Sequence, residues 1–174
     1  AYRLMFNAAA LGLLAVPAGL LLAWRGEPLW QWTGPAWWIA NGAALLAILG
    51  FLWSLRFYDG SEFLGLRQWA GRVRRVEDQE RLRISPLHRF VRHPWYTFGL
   101  VLIWTRSMDP ALLISACAVT AYFVIGSRLE ERKLMTYYGE AYRAYREQVP
   151  GLVPLPWKHL DPATAAELER RAVH

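Results

Sequence analysis

Four apolar runs alternate with polar segments along the chain, at 4–24, 36–55, 94–105 and 111–127. A helix rises about 1.5 Å per residue, so about 20 apolar residues cross the roughly 30 Å hydrocarbon core of a bilayer. The third run is too short to cross alone, so it must begin earlier, near Leu87, or cross only partly. The pattern predicts an all-α, polytopic membrane protein with about four transmembrane helices.

The polar sequence after the fourth run keeps a helical period. Apolar and aromatic residues recur there on one helical face, at Met135, Tyr138, Tyr142, Tyr145 and Val149. This spacing predicts a cytoplasmic amphipathic helix that prolines end. We expect one domain over 1–160 and a polar tail over 161–174, with a short helix from Pro162.

The distribution of charge predicts the orientation of the spans in the membrane. Arginines are concentrated in 56–92, whereas the link after the first run has Arg25 offset by Glu27. Because cytoplasmic loops are enriched in positive charge, the N-terminus, 56–92 and the C-terminal region are expected in the cytoplasm. The net charge of +6 is mixed with apolar residues, which indicates a membrane-lipid environment rather than nucleic acid. We expect an integral protein of a bacterial inner membrane, without a cleavable signal peptide.

Two short motifs carry the candidate chemistry. Arg92-His93-Pro94-Trp95-Tyr96 opens the third run, and Glu130-Glu131-Arg132 follows the fourth. Two helices joined by a tight turn would bring both motifs to one membrane face, where they can hold a small charged ligand. Each motif also has a structural reading: His93-Pro94 as a helix start, the glutamates as a solvated surface, and the tyrosines as interfacial packing. Adjacent glutamates point about 100° apart, so both face one site only if it wraps the helix or the helix is distorted.

A metal site is not expected. His88 and His93 are five residues apart, off a common helical face, and the sequence contains no cluster of His and Cys. The sequence identifies no catalytic base and no oligomeric state.

These motifs resemble those of the integral-membrane methyltransferases related to isoprenylcysteine carboxyl methyltransferase and to phospholipid methyltransferases. The resemblance covers roughly 87–156 and includes Tyr138-Gly139 with Tyr142 and Tyr145. Upstream, 63–68 (FLGLRQ) is similar to a segment of the bacterial branch that contains methanethiol S-methyltransferases and NnrU-like proteins.

The resemblance implies use of S-adenosylmethionine at the cytosolic end of the last helices. The implied cofactor residues are His93, Pro94, Tyr96, Gly99, Glu130, Glu131, Tyr142 and Tyr145. The family usually has Gly two residues after the Tyr, where this chain has Phe98 followed by Gly99, so the pocket here is expected to be shifted or differently shaped. No metal is implied.

The implied reaction is methyl transfer to a lipophilic or membrane-soluble acceptor: a small thiol, a lipid amine or a carboxylate. We expect the acceptor to arrive from the bilayer between the third and fourth spans, beside Trp95, Phe98 and Trp104. Phe98 would then favour a small or slender acceptor, unless it faces lipid or a neighbouring helix. The alternative function is that of a non-catalytic NnrU-like membrane protein that supports maturation of a respiratory enzyme; a membrane reductase is a third reading.

Overall fold

The computed structural model describes residues 26–57 and 82–172, with a few positions between 19 and 24. The four helices in these ranges are α1 (Gly34–Ser54), α2 (Pro94–Trp104), α3 (Pro110–Gln148) and α4 (Pro162–Arg171). Single 3-10 turns occupy Leu55–Phe57 and Leu87–Arg89. The described part of the chain has isolated β-bridges and no strand, so the all-α prediction is confirmed there.

Two helical segments are long and apolar enough to cross a membrane, namely Gly34–Phe57 and Pro110–Gln148. The 39 residues of α3 extend about 58 Å, so its polar second half must project beyond a bilayer core. Large apolar side chains on both helices are exposed, among them Ile39 (73%) and Ile114 (71%). Large exposed apolar side chains on helices long enough to span a bilayer are typical of lipid contact, which supports a membrane protein.

Four spans are not confirmed. The third apolar run forms only the 11 residues of α2, about 17 Å, and this helix starts at Pro94 rather than near Leu87. The chain between Leu87 and Pro94 is a 3-10 turn followed by irregular backbone, because Pro94 favours the first turn of a new helix. The first run at 4–24 and the segment 58–81 lie outside the described residues, apart from the few positions before 26.

The connections before α1 and between α2 and α3 meet at one end of the molecule. The Leu29 and Trp30 amides donate to the Met108 carbonyl at 2.8 and 3.3 Å, and the Met108 amide donates to Trp30 O at 3.0 Å. Asp109 then caps α3, because its carboxylate accepts from the Leu112 amide at 2.8 Å. The start of α2 and the polar half of α3 are therefore at the opposite end.

Helix α2 is packed closely against both neighbours through two glycines. A Cβ at Gly50 of α1 would lie 2.7 Å from the Phe98 ring, and a Cβ at Gly99 would lie 2.9 Å from the Phe123 ring of α3. Real side chains do not approach so closely, so each glycine provides the space that an aromatic ring of the next helix occupies.

Gly139 kinks α3 within the predicted amphipathic part. Its φ of 50° and ψ of −125° lie where essentially only glycine is found. Beyond this kink, Tyr142 and Tyr145 form an apolar cluster with Ala165 and Leu168 of α4. The helix expected from Pro162 is thus confirmed, and its apolar face is buried against the rest of the fold.

Candidate active site

His93 joins the two motifs. Its Nδ1 lies 3.4 Å from Glu130 Oε2, and its Nε2 lies 3.2 Å from Glu131 Oε1. The turn between α2 and α3 therefore brings both motifs together, as the sequence predicted. Adjacent carboxylates reach one site because the two nitrogens of a single imidazole lie between them. We call His93, Glu130 and Glu131 the His93 cluster.

The His93 cluster favours a protonated imidazole. Burial alone would lower the pKa of His93, but the hydrogen bonds and charges of Glu130 and Glu131 outweigh it and raise the pKa above 6.5. The ring also stacks on Tyr96 at 5.4 Å, and Tyr96 stacks in turn on Phe123 at 4.5 Å. The imidazole is thus held in a fixed orientation where α2 meets α3.

Glu131 is occupied by protein groups. Its Oε1 accepts from Arg92 at 2.7 and 2.8 Å, and its Oε2 lies 3.3 Å from Arg146 Nε. Arg92 also donates to the carbonyls of Arg146, at 2.9 Å, and of Val149. Glu131 therefore ties the start of α2 to the end of α3, and it does not line either cavity described below.

The segment after α3 extends this connection. The Arg92 amide donates to the Pro150 carbonyl at 2.8 Å, and the His93 amide donates to the Gly151 carbonyl at 3.1 Å. Thr97, one turn into α2, donates to the Leu152 carbonyl at 2.7 Å. Because the backbone of this segment is bonded directly to the histidine motif, the position of His93 depends on this segment as well as on Glu130 and Glu131.

A cavity of about 390 Å³ opens beside the His93 cluster. This is within the range of about 300–1,000 Å³ typical of ligand sites. Its lining contains charges of both signs, from Arg83, Lys133 and Glu130, and the aromatic rings of Tyr138, Tyr142 and Tyr145. Glu130 is the half-exposed member of the cluster, with 51% of its side chain accessible.

A second cavity of about 240 Å³ adjoins the first. Both are lined by His88, Arg92, His93 and Glu130, and the smaller one adds Pro94, Trp95 and Tyr96. Most of the cofactor residues implied by the resemblance therefore do line these cavities: His93, Pro94, Tyr96, Glu130, Tyr142 and Tyr145.

Of the remaining predicted residues, Glu131 contacts the protein groups described above, and three others lie elsewhere. Gly99 is covered by Phe123, and Phe98 packs on Gly50 of α1. Trp104 is at the far end of α2, where its indole donates to Thr120 at 3.0 Å. Of the three expected acceptor-binding residues, the structure places Trp95 alone beside a cavity and does not bring Phe98 and Trp104 to it.

Several lining residues were missed by the sequence reasoning. His88 was weighed only as a metal ligand, yet it lines both cavities. Its Nδ1 is 2.7 Å from Ser85 Oγ, and its carbonyl accepts from the Tyr145 hydroxyl at 2.7 Å. Burial, reinforced by His93 and opposed by Glu130, lowers the pKa of His88 to about 4, so its imidazole is neutral. Arg92 stood in the quoted motif, which was the available signal for its role.

The residues of the larger cavity fit S-adenosylmethionine. Glu130 can accept from ribose hydroxyls or an ammonium, Arg83 and Lys133 can bind a carboxylate, and tyrosine rings can lie against adenine or a sulfonium. Within the described ranges, no group of three or more His, Cys, Asp or Glu side chains is arranged to hold a metal ion.

Comparison with known proteins identifies relatives of this chain. It is 36% identical over 141 residues to methanethiol S-methyltransferase 2 of Bradyrhizobium diazoefficiens, covering 78% of this chain and 54% of that protein. It is 34% identical over 164 residues to the methanethiol S-methyltransferase of Mycobacterium tuberculosis, covering 84% and 63%. The match to the methanethiol S-methyltransferase of Pseudomonas sp. (strain GM41(2012)) is 32% over 151 residues, covering 80% and 55%.

The chain spans somewhat more than half the length of these relatives. No protein-family model and no solved structure matches it. The identities nevertheless extend over more than three quarters of the chain and beyond the region of the motifs. The chain is therefore homologous to proteins named methanethiol S-methyltransferase, the bacterial branch that its motifs resemble.

Proposed function

We propose that this protein transfers a methyl group from S-adenosylmethionine to a small thiol. The relatives named methanethiol S-methyltransferase support this acceptor class over a lipid amine or carboxylate. The observation that carries the proposal is the His93 cluster, because it joins both motifs at the border of two adjoining cavities.

The larger cavity is the proposed cofactor site. When bound, the cofactor supplies a methyl group activated by a sulfonium, so the protein needs mainly to orient and desolvate the reactants. Glu130 accepts hydrogen bonds from the cofactor, while Tyr142 and Tyr145, both nearly fully buried, provide a fixed aromatic wall. Glu131 and Arg92 act by positioning His93 rather than by contacting the ligand.

The proton balance of the reaction gives Glu130 a second role. The thiol sulfur forms the new carbon–sulfur bond to the methyl group. The electron pair of the broken methyl–sulfonium bond stays on the departing thioether, and the thiol proton is released. Glu130 lines both cavities and is half exposed, so its carboxylate can pass that proton to solvent.

We further propose that this site faces the cytoplasm of a bacterial inner membrane. The His93 cluster is at the same end of the helices as the described ends of the arginine-rich segment, residues 56–57 and 82–92, since the connections before α1 and between α2 and α3 meet at the other end. The positive-inside rule places the arginine-rich end in the cytoplasm, where the water-soluble cofactor is available.

Calorimetry on the purified protein in lipid tests the cofactor assignment. We expect micromolar binding of S-adenosylmethionine and of its demethylated product. Glu130→Ala should weaken binding about 10- to 100-fold, because it removes charge-assisted hydrogen bonds worth about 1.5–3 kcal/mol. Glu167→Ala in α4 is the control, since Glu167 pairs only with Arg170 and Arg171 of its own helix in the described structure. Equal binding by both variants would remove Glu130 from the site.

A further inference from the structure

The two cavities differ in what lines them outside their shared border. The larger one has Arg83 and Lys133 together with three tyrosines, whereas the smaller one has Pro94, Trp95 and Tyr96. Methyl transfer needs two ligands that meet at one place, and the shared border beside His93 and Glu130 is such a place. The charged, larger cavity suits a charged cofactor, which leaves the smaller cavity for the acceptor.

The charges around the smaller cavity are balanced by the protein itself. Among the described residues that line it, the charged groups are Arg92, His93 and Glu130. Arg92 is paired with Glu131 at 2.7 Å, and His93 lies between both glutamates. A carboxylate or ammonium on the acceptor would have to compete with these pairs, so the cavity favours an uncharged acceptor such as a thiol.

The aromatic walls of this cavity are held in place. The Trp95 indole donates to Ser54 Oγ at 2.8 Å, and its ring packs edge-on against Phe51 at 5.3 Å. Tyr96 is stacked between His93 and Phe123. Walls fixed on two sides by neighbouring helices cannot move apart cheaply, so the space of about 240 Å³ limits acceptor size.

We propose that the smaller cavity is the acceptor subsite, that it takes small uncharged thiols, and that Trp95 limits the length of their alkyl chain. This inference rests on the proposed function. It moves the selectivity role from Phe98, which packs on Gly50, to its neighbour three residues earlier.

Two matched variants test the assignment. In Trp95→Ala the ratio of kcat/KM for 1-butanethiol to that for methanethiol should rise by about 10-fold or more, because each methylene accommodated in an apolar pocket is worth up to about 10- to 200-fold. The KM for S-adenosylmethionine should change by less than about twofold, since Trp95 does not line the larger cavity. Phe98→Ala removes a ring of similar size from the same helix and should leave the ratio unchanged.

Trp95→Phe serves if the alanine variant does not fold, and it should raise the ratio by a smaller factor in the same direction. An unchanged ratio in the folded Trp95 variants, or a raised ratio in Phe98→Ala, would overturn the inference while thiol methylation by the wild type upheld the proposed function.

A direct measurement keeps the inference testable without turnover. In protein labelled with 5-fluorotryptophan, methanethiol should shift the fluorine resonance of Trp95, assigned by its absence in Trp95→Phe. The Trp104 resonance, at the other end of α2, should not move. A shift of Trp104 alone, or of neither signal up to millimolar thiol, would contradict an acceptor subsite at Trp95.

Discussion

Replacing Glu131 by alanine should destabilise the fold far more than the same change at Glu130. The Glu131 side chain is 8% exposed and accepts from Arg92, whose side chain is 11% exposed. Its removal leaves the Arg92 guanidinium buried without a counter-charge, which costs about 3–5 kcal/mol. For a chain of this size each kcal/mol lowers the melting temperature by about 2–4 °C, so we expect a drop of about 6–20 °C.

The same reasoning predicts a small effect at Glu130. Its side chain is 51% exposed and lies 3.4 Å from one nitrogen of His93. Because Glu130 is half exposed to solvent, its interaction with the buried His93 is screened and should contribute about 0–1 kcal/mol, so Glu130→Ala should melt within about 4 °C of the wild type. Cofactor affinity should show the opposite order: Glu130→Ala should weaken binding of S-adenosylmethionine more than Glu131→Ala does, because Glu130 contacts the ligand directly in the proposed site.

Intrinsic tryptophan fluorescence during heating, in a fixed detergent or lipid, measures both melting temperatures. Glu131→Gln keeps an acceptor oxygen but loses the charge, so its melting temperature should lie between those of the wild type and Glu131→Ala. Glu167→Ala should melt with the wild type. If Glu131→Ala melts with the wild type and Glu130→Ala does not, the division into a buried positioning carboxylate and a ligand-facing carboxylate is wrong.

Three further predictions follow from the same geometry. Because the pKa of His93 is raised in the folded state, its contribution to stability is complete below pH 6.5 and is lost as pH rises through the folded pKa. Because the pKa of His88 is lowered from 6.5 to about 4 in the folded state, stability falls by up to about 3 kcal/mol as pH drops from 6.5 to about 4. The melting temperature plotted against pH should therefore peak near pH 6.5. His88→Gln should flatten the acidic side of this profile, and His93→Gln should flatten the alkaline side. Gly139→Ala should lower stability by about 1–3 kcal/mol through its positive φ, although a Cβ there has open space, whereas Gly42→Ala in α1 should be neutral or stabilising; equal melting of the two variants would contradict a required kink. Cysteines introduced in 56–92 should react with impermeant reagents only from the cytoplasmic side, and labelling from outside intact cells would overturn the topology.

Local signals in the sequence were sufficient for the starts of α3 and α4 and for the meeting of the two motifs. Asp109-Pro110 and Asp161-Pro162 each combine a capping side chain with a proline at the helix start, and both helices begin there. The pairing of His93 with Glu130 follows from two helices joined by a short turn, which fixes their ends relative to each other.

The packing partners of Phe98 and Gly99 could not be predicted. Helix α2 is apolar all round, so no polar face in its sequence tells which side meets α1, α3 or lipid. The resemblance placed a cofactor at Gly99, but the space at that residue is filled by Phe123, 24 residues further along the chain.

The different roles of the two glutamates also depend on distant contacts. Glu131 is directed to Arg92 and Arg146 by the segment after α3, which returns to bond the backbone of Arg92 and His93. The kink at Gly139 lies between Glu131 and that segment, and a single glycine within a helical period does not predict a kink.

Product formation tests the central claim most directly. Purified protein in lipid vesicles, supplied with S-adenosylmethionine and methanethiol, should release dimethyl sulfide and one equivalent of demethylated cofactor, detected by gas chromatography and liquid chromatography. In Glu130→Ala the KM for S-adenosylmethionine should rise about 10- to 100-fold, and loss of the proton acceptor should also lower kcat. Absence of dimethyl sulfide together with absence of cofactor binding would contradict the account and favour a non-catalytic, NnrU-like role.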